Sequence, residues 1–144
     1  MALVADTTVL IDLWRYRKKP ARLKDLEAKV GKDSMAVPWI TEAEFSRGAH
    51  HQNSSWEDLE NFLGAFSRIA LDRATMRTYC ELWSQMARAG HASSYPDLWI
   101  GASAVTVQAP VLTRNRRHFE KIPGLKVISY ELAAQPPQKI GDSS

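Results

Sequence analysis

Short apolar runs recur along this chain, and each is followed by a longer segment whose apolar residues repeat at helical spacing. That alternation predicts an α/β domain with a mainly parallel sheet, because parallel strands must be joined by crossovers that helices usually supply. Residues 3–5, 35–37, 68–71, 111–113 and 125–128 are the five expected strands, and the first reads as a buried central one. Helices are expected from about residue 7, over 22–30 with Leu23, Leu26 and Val30 on one stripe, and from Thr41 to a stop at Gly48. Ser55 caps a fourth, carrying Trp56, Leu59, Phe62, Leu63 and Phe66, and Asp72 caps a long fifth that places Met76, Tyr79, Cys80, Trp83 and Ala87 on one face. A sixth opens near Pro96 and Asp97 and is almost wholly apolar.

The chain's 144 residues and 44% apolar content suit one domain with a core of its own, and exclude disordered and collagen-like classes. Residues 1–132 are expected to form that domain, and the polar stretch 133–144 a disordered tail. Cys80 is the single cysteine, so no intramolecular disulfide can form, and no apolar run reaches the length of a membrane span. A cytoplasmic protein is the expectation. The net charge of +3 is mild, but Arg15, Arg17, Lys18, Lys19, Arg22 and Lys24 follow one another with no carboxylate between them, and Arg114, Arg116, Arg117 and Lys121 form a second group. Such clusters suit a polyanion, through release of condensed counterions, or serve as ordinary solvated surface.

Three carboxylates stand apart from the helix surfaces. Asp6 directly follows the first strand, Glu44 lies in the segment 41–48, and Asp97 opens the apolar sixth helix. Residues just past the carboxyl ends of parallel strands gather in the crevice at the switch point of the sheet, which is where Asp6 belongs. Each also has a purely structural reading. Asp6 can be a helix N-cap, Thr41 to Glu44 matches a capping box, and Asp97 suits a first helical turn.

Four ordered blocks, DTTVLID at 6–12, TEAEFSRG at 41–48, DLWIGASA at 97–104 and TRNRRHF at 113–119, together resemble the PIN domain, most closely its VapC-like toxin branch. The resemblance covers residues 1–132 and implies a PIN-like α/β/α sandwich around a five-stranded, mainly parallel sheet. It further implies a Mg2+- or Mn2+-dependent endoribonuclease that hydrolyses RNA phosphodiester bonds, as the toxin of a type II toxin–antitoxin pair. A homodimer and a small antitoxin that blocks the site are implied with it. The acidic positions of the family fall on Asp6, Glu44 and Asp97, and Asn115 stands where the family has Asn or Asp. Where a further Asp is common, this chain has His118. Asn115 can hold a water of the ion through its carbonyl oxygen, and His118 can act behind the ligands.

Carboxylates gathered within ~4–5 Å repel by about 4 kcal/mol per pair at an effective dielectric near ~20, which a divalent cation relieves. Magnesium keeps several waters and needs one or two direct carboxylates. Asp6 and Asp97 are therefore assigned as direct ligands, with Glu44 acting through water or orienting the nucleophile. The hydroxyls of Thr7, Thr8 and Thr113 are placed to bond these groups, or to cap helices and close strand ends. Arg114, Arg116 and Arg117, with Arg15, Lys18 and Lys19, are the candidates for RNA phosphates. His50, His51, His91 and His118 show no zinc-ligand spacing, and His50 and His51 are expected in a loop. No phosphate-binding glycine loop or nucleophile elbow occurs. The five tryptophans are read as packing residues. The rival expectation is a PIN-like module that binds RNA or a partner with little turnover.

Overall fold

The computed structural model describes residues 2–134. Strands β1 (Ala2–Ala5), β2 (Ser34–Pro38), β3 (Ser67–Ile69), β4 (Val111–Thr113) and β5 (Val127–Ser129) alternate with helices α1 (Thr7–Arg15), α2 (Lys24–Val30), α3 (Trp39–His51), α4 (Trp56–Leu63), α5 (Arg73–Arg88) and α6 (Tyr95–Thr106). The sheet order is β3-β2-β1-β4-β5, and every pairing is parallel. Leu3 pairs with Met35 on one side of β1, and Val4 with Val111 on the other.

Both faces of β1 are covered, which is why it reads as uninterrupted apolar sequence. Val4 packs with Val111, Leu98, Ile100 and Phe119 on one face of the sheet. Leu3 and Ala5 pack with Val9, Leu26 and Leu112 on the other, and Val37 joins Leu10, Phe45, Leu59 and Leu63. The chain runs outward from β1 through β2 to β3, then returns to β4 on the opposite side. The direction of winding therefore reverses between β1 and β4, and the crevice lies beyond their carboxyl ends.

Several boundaries differ from expectation. Helix α3 begins at Trp39 behind Pro38 and runs past Gly48 to His51. A lone helical glycine costs about 1 kcal/mol, and the buried Phe45 and Ala49 outweigh it on the core side. His50 and His51 are thus in a last helical turn, where the His50 ring stacks on Trp56 at 4.9 Å. The segment 22–30 is divided, with a 3-10 turn over Pro20–Leu23 leading into α2. Helix α5 is capped by Asp72 as expected, but it buries Thr75, Leu82 and Met86, and leaves Met76, Cys80 and Trp83 exposed. The stripe i, i+7, i+11 won over the longer apolar list because α6 covers that side only.

Among the described residues no helix is long and apolar enough to cross a membrane. The backbone N–H of Ala133, in the expected tail, donates to the Arg22 carbonyl at 3.0 Å. The rest of that tail, 135–144, lies outside the described residues.

Candidate active site

Asp6 is the first residue beyond β1 and keeps extended backbone, which lets it cap α1: its Oδ1 accepts from the Val9 N–H at 3.2 Å. The helix-cap reading and the site reading are therefore the same residue in one pose. Oδ1 also accepts from the Thr8 hydroxyl at 2.6 Å, and Oδ2 from the hydroxyl of Thr113 at the end of β4. Asp6 is 4% exposed. Burial raises its pKa above the usual carboxylate value, against the opposing pull of these hydrogen bonds.

Glu44 is not part of a capping box. Thr41, one turn earlier on α3, is fully buried and donates its hydroxyl to the Ala5 carbonyl at 2.9 Å, which ties the helix to the end of β1. Glu44 follows at helical spacing and accepts from the Thr7 hydroxyl at 2.6 Å. Asp97 lies in the first turn of α6 behind the N-cap Ser94. Ser94 Oγ accepts from the Asp97 N–H at 3.3 Å and donates to Asp97 Oδ2 at 2.6 Å.

The fourth block joins the other three. The Thr113 hydroxyl donates to Asp6 and accepts from the Asn115 N–H at 2.9 Å. His118, three residues on, brings Nδ1 to 3.3 Å from Asp97 Oδ2. Contacts thus run without a break from Glu44 through Thr7 to the Asp6 corner, and on through Thr113 and Asn115 to the loop whose His118 meets Asp97.

Of the basic candidates, Arg15, Lys18, Lys19, Arg116 and Arg117 are exposed. Arg114 differs from them in having a buried partner for its side chain. Its guanidinium is committed to the fully buried Asp12, with Nε at 2.6 Å from Oδ2 and Nη2 at 3.0 Å from Oδ1. The Tyr130 hydroxyl donates to the same Oδ2 at 2.6 Å. Asp12, Tyr130 and Ser94 went unnoticed in the sequence. Asp12 offered a signal, since an acid between Leu10 and Leu13 on an amphipathic helix calls for a buried partner.

A groove of about 300 Å3 opens between α1 and α3, floored by Ile11, Trp14 and Phe45, with Glu44 in its lining and Arg15 and Arg17 also lining it. Arg17 stacks on the Trp14 ring at 4.0 Å. Trp39 and Trp99 meet edge to face at 5.5 Å and join α3 to α6, as packing residues should. Trp56 and Trp83 lie outside the core, each being 57% exposed.

The donor set tests the fit of a cation. Among the described residues no three His, Cys, Asp or Glu side chains stand close enough to grip an ion together. A preformed cage of Asp6, Glu44 and Asp97 is therefore not what the chain builds. What it does build is a buried carboxylate, Asp6, with hydroxyl and N–H donors and no lysine, arginine or histidine ion pair among the described residues. Asp12 shows that the fold supplies an arginine where it means to neutralise a buried acid. A buried carboxylate without a cationic neighbour suits a hard, largely hydrated divalent ion such as magnesium, which takes one or two direct carboxylates and keeps its waters.

Comparison with known proteins adds three findings. The PIN domain family model matches residues 3–125. Ribonuclease VapC1 of Methanocaldococcus jannaschii is 28% identical over 127 residues, covering 87% of this chain and 85% of that protein. Among solved structures, VapBC2 from Rickettsia felis, bound to a DNA fragment from its promoter, superposes with a TM-score of 0.75 at 21% identity, covering 91% of this chain and 100% of the matched one. A toxin–antitoxin complex from Klebsiella pneumoniae gives a TM-score of 0.69 at 26% identity, covering 88% and 95%.

Proposed function

This chain belongs to the PIN domain family, and from that premise we propose that it is a Mg2+-dependent endoribonuclease, with Mn2+ as an alternative ion, and the toxin of a toxin–antitoxin pair. The observation that carries the reading is Asp6, a buried acid at the switch point that has no counter-charge among the described residues. The named ribonuclease relative and the toxin–antitoxin neighbours support the same assignment.

Asp6 and Asp97 are the proposed holders of the ion, which when bound supplies Lewis-acid polarisation of the phosphoryl oxygen and a more acidic water. Thr8 and Thr113 fix the direction of the Asp6 carboxylate by donating to its two oxygens. Glu44, oriented by Thr7, accepts a proton of the attacking water and aligns it. Asn115 offers a neutral carbonyl oxygen to a second water, and His118 with Ser94 sets the rotamer of Asp97. Arg15, Lys18, Lys19, Arg116 and Arg117 meet the RNA phosphates. The reading places the protein in the cytoplasm, where its RNA is.

Two protein partners are proposed. An antitoxin would lie along the groove beside Glu44, whose apolar floor offers burial next to the catalytic acid. A second copy of the chain would cover the exposed face of α5, where Met76 and Trp83 remain open.

Incubation of structured RNA with Mg2+, with chelator, and with the Asp97→Asn variant tests the activity. Metal-dependent products lost in both controls are expected, and cleavage that survives both equally rejects the assignment. His118 against Asp97 favours a second reading, a PIN-like RNA-binding module of weak turnover. That reading gains if RNA binds with a steep salt dependence and no products form in Mg2+.

A further inference from the structure

The geometry points to Arg114 as a positioning residue: through Asp12 it clamps the loop of Thr113 and Asn115 onto α1, and so holds Asp6 in its metal-binding pose. The inference deepens the proposed nuclease reading and rests on it. It also reverses the role that sequence suggests for an arginine in a basic cluster.

Three elements converge on Asp12. Arg114, directly after β4, grips both carboxylate oxygens in a planar fork. Tyr130, directly after β5, adds its hydroxyl to Oδ2, and its backbone N–H donates to the Thr113 carbonyl at 3.2 Å. Asp12 itself is on α1, the helix that Asp6 caps. The ends of β4 and β5 are thereby fastened to the body of α1.

Thr113 and Asn115 flank Arg114 on either side. The Thr113 hydroxyl ends on Asp6 Oδ2, and the Asn115 N–H ends on that same hydroxyl. Fixing the Arg114 side chain therefore fixes both neighbours relative to Asp6. The Asp12 side chain is fully buried and that of Arg114 is 33% exposed, so the carboxylate half of the pair is shielded from solvent. Nε and Nη2 are committed to Asp12, so an RNA phosphate would have to share Arg114 with a bidentate buried carboxylate. Arg116 and Arg117 carry no comparable commitment and remain exposed.

The two roles separate under conservative substitution. Lysine keeps the charge and serves a phosphate as a point cation, but it cannot reproduce the two-pronged fork. The experiment compares wild type, Arg114→Lys and Tyr130→Phe, with each fold checked by circular dichroism. The readouts are Mn2+ binding without RNA, kcat and KM for a structured RNA, and the salt dependence of RNA binding. A clamp predicts that Arg114→Lys lowers kcat by about ten- to a hundredfold through misplacement of the site, and that it weakens Mn2+ binding. KM and the salt slope stay at wild-type values. A phosphate contact would instead leave kcat, Mn2+ binding and the salt slope of Arg114→Lys near wild type, because lysine brings the same charge to the phosphate.

Should Arg114→Lys fail to fold, Tyr130→Phe decides by the same readouts, since it removes one bond to Asp12 and leaves both charges in place. Wild-type kcat and Mn2+ affinity in the folded variants, or losses confined to KM and the salt slope, overturn the clamp. A wild-type protein without metal-dependent cleavage overturns the nuclease reading, whereas the Mn2+ titration still reports on the clamp.

Discussion

Asp6 and Asp12 are both buried acids close to one helix, and the fold treats them in opposite ways. Asp12 receives an arginine and a tyrosine hydroxyl, and burial followed by that bond holds the Tyr130 phenol well above its ordinary pKa, so it remains a donor. Asp6 receives neutral donors, and burial raises its pKa. The folded chain therefore holds the Asp6 proton more tightly than the unfolded chain does. The associated stability is complete below the unfolded pKa and is lost as pH rises through the raised folded value. Wherever Asp6 is ionised with no cation bound, its burial is a net cost, and there Asp6→Asn is expected to stabilise the protein by up to about 2 kcal/mol. Urea unfolding of both proteins measures this. The gap should shrink as the pH is lowered through the folded pKa of Asp6, and a less stable Asp6→Asn above that pKa would contradict it. Mg2+ should raise the melting temperature of wild type and leave that of Asp6→Asn unmoved.

At the scale of elements, α3 shows how a motif can be read correctly in position and wrongly in mechanism. Thr41 and Glu44 have the spacing of a capping box, yet the helix starts at Trp39 and neither residue caps it. The same spacing puts both on one face, so that Thr41 bonds the end of β1 while Glu44 reaches Thr7. Local sequence cannot distinguish these outcomes, because the partner of Thr41 is 36 residues away. Thr41→Val keeps the shape and leaves the Ala5 carbonyl without this donor, at an expected cost of about 1 kcal/mol. Because the link sits beside Asp6, catalytic turnover should fall further than stability alone explains. Paired denaturation and turnover measurements test this, and a variant equal to wild type in both would show the tie to be idle. The face of α5 was misjudged for a related reason. Periodicity lists apolar residues, and only the position of α6 selects Leu82 and Met86 over Met76 and Trp83.

For the whole molecule, that unselected face has a consequence. Leu71, Met76, Trp83 and Tyr95 are between 45% and 60% exposed, and large exposed apolar groups on a folded domain commonly mark an interface. Size-exclusion chromatography with light scattering should return the mass of two chains for wild type and of one for Trp83→Glu. A wild-type monomer at high micromolar concentration would remove α5 as a contact between copies.

Composition and periodicity by themselves determined the α/β class and the central place of β1, because a parallel strand covered on both faces must be apolar throughout and that pattern is local. The edge strands β3 and β5 carry it weakly, and lie at Ser67–Ile69 and Val127–Ser129 rather than 68–71 and 125–128. Position after β1 also singled out Asp6, since a charge there is legible without a partner. Tertiary structure alone decided which charges are answered. Arg114, Arg116 and Arg117 are alike in sequence, but Arg114 pairs with the buried carboxylate of Asp12, 102 residues earlier, whereas Arg116 reaches only the Val127 carbonyl. Pairing across such distances depends on which strand ends the sheet brings together, and no local pattern encodes that.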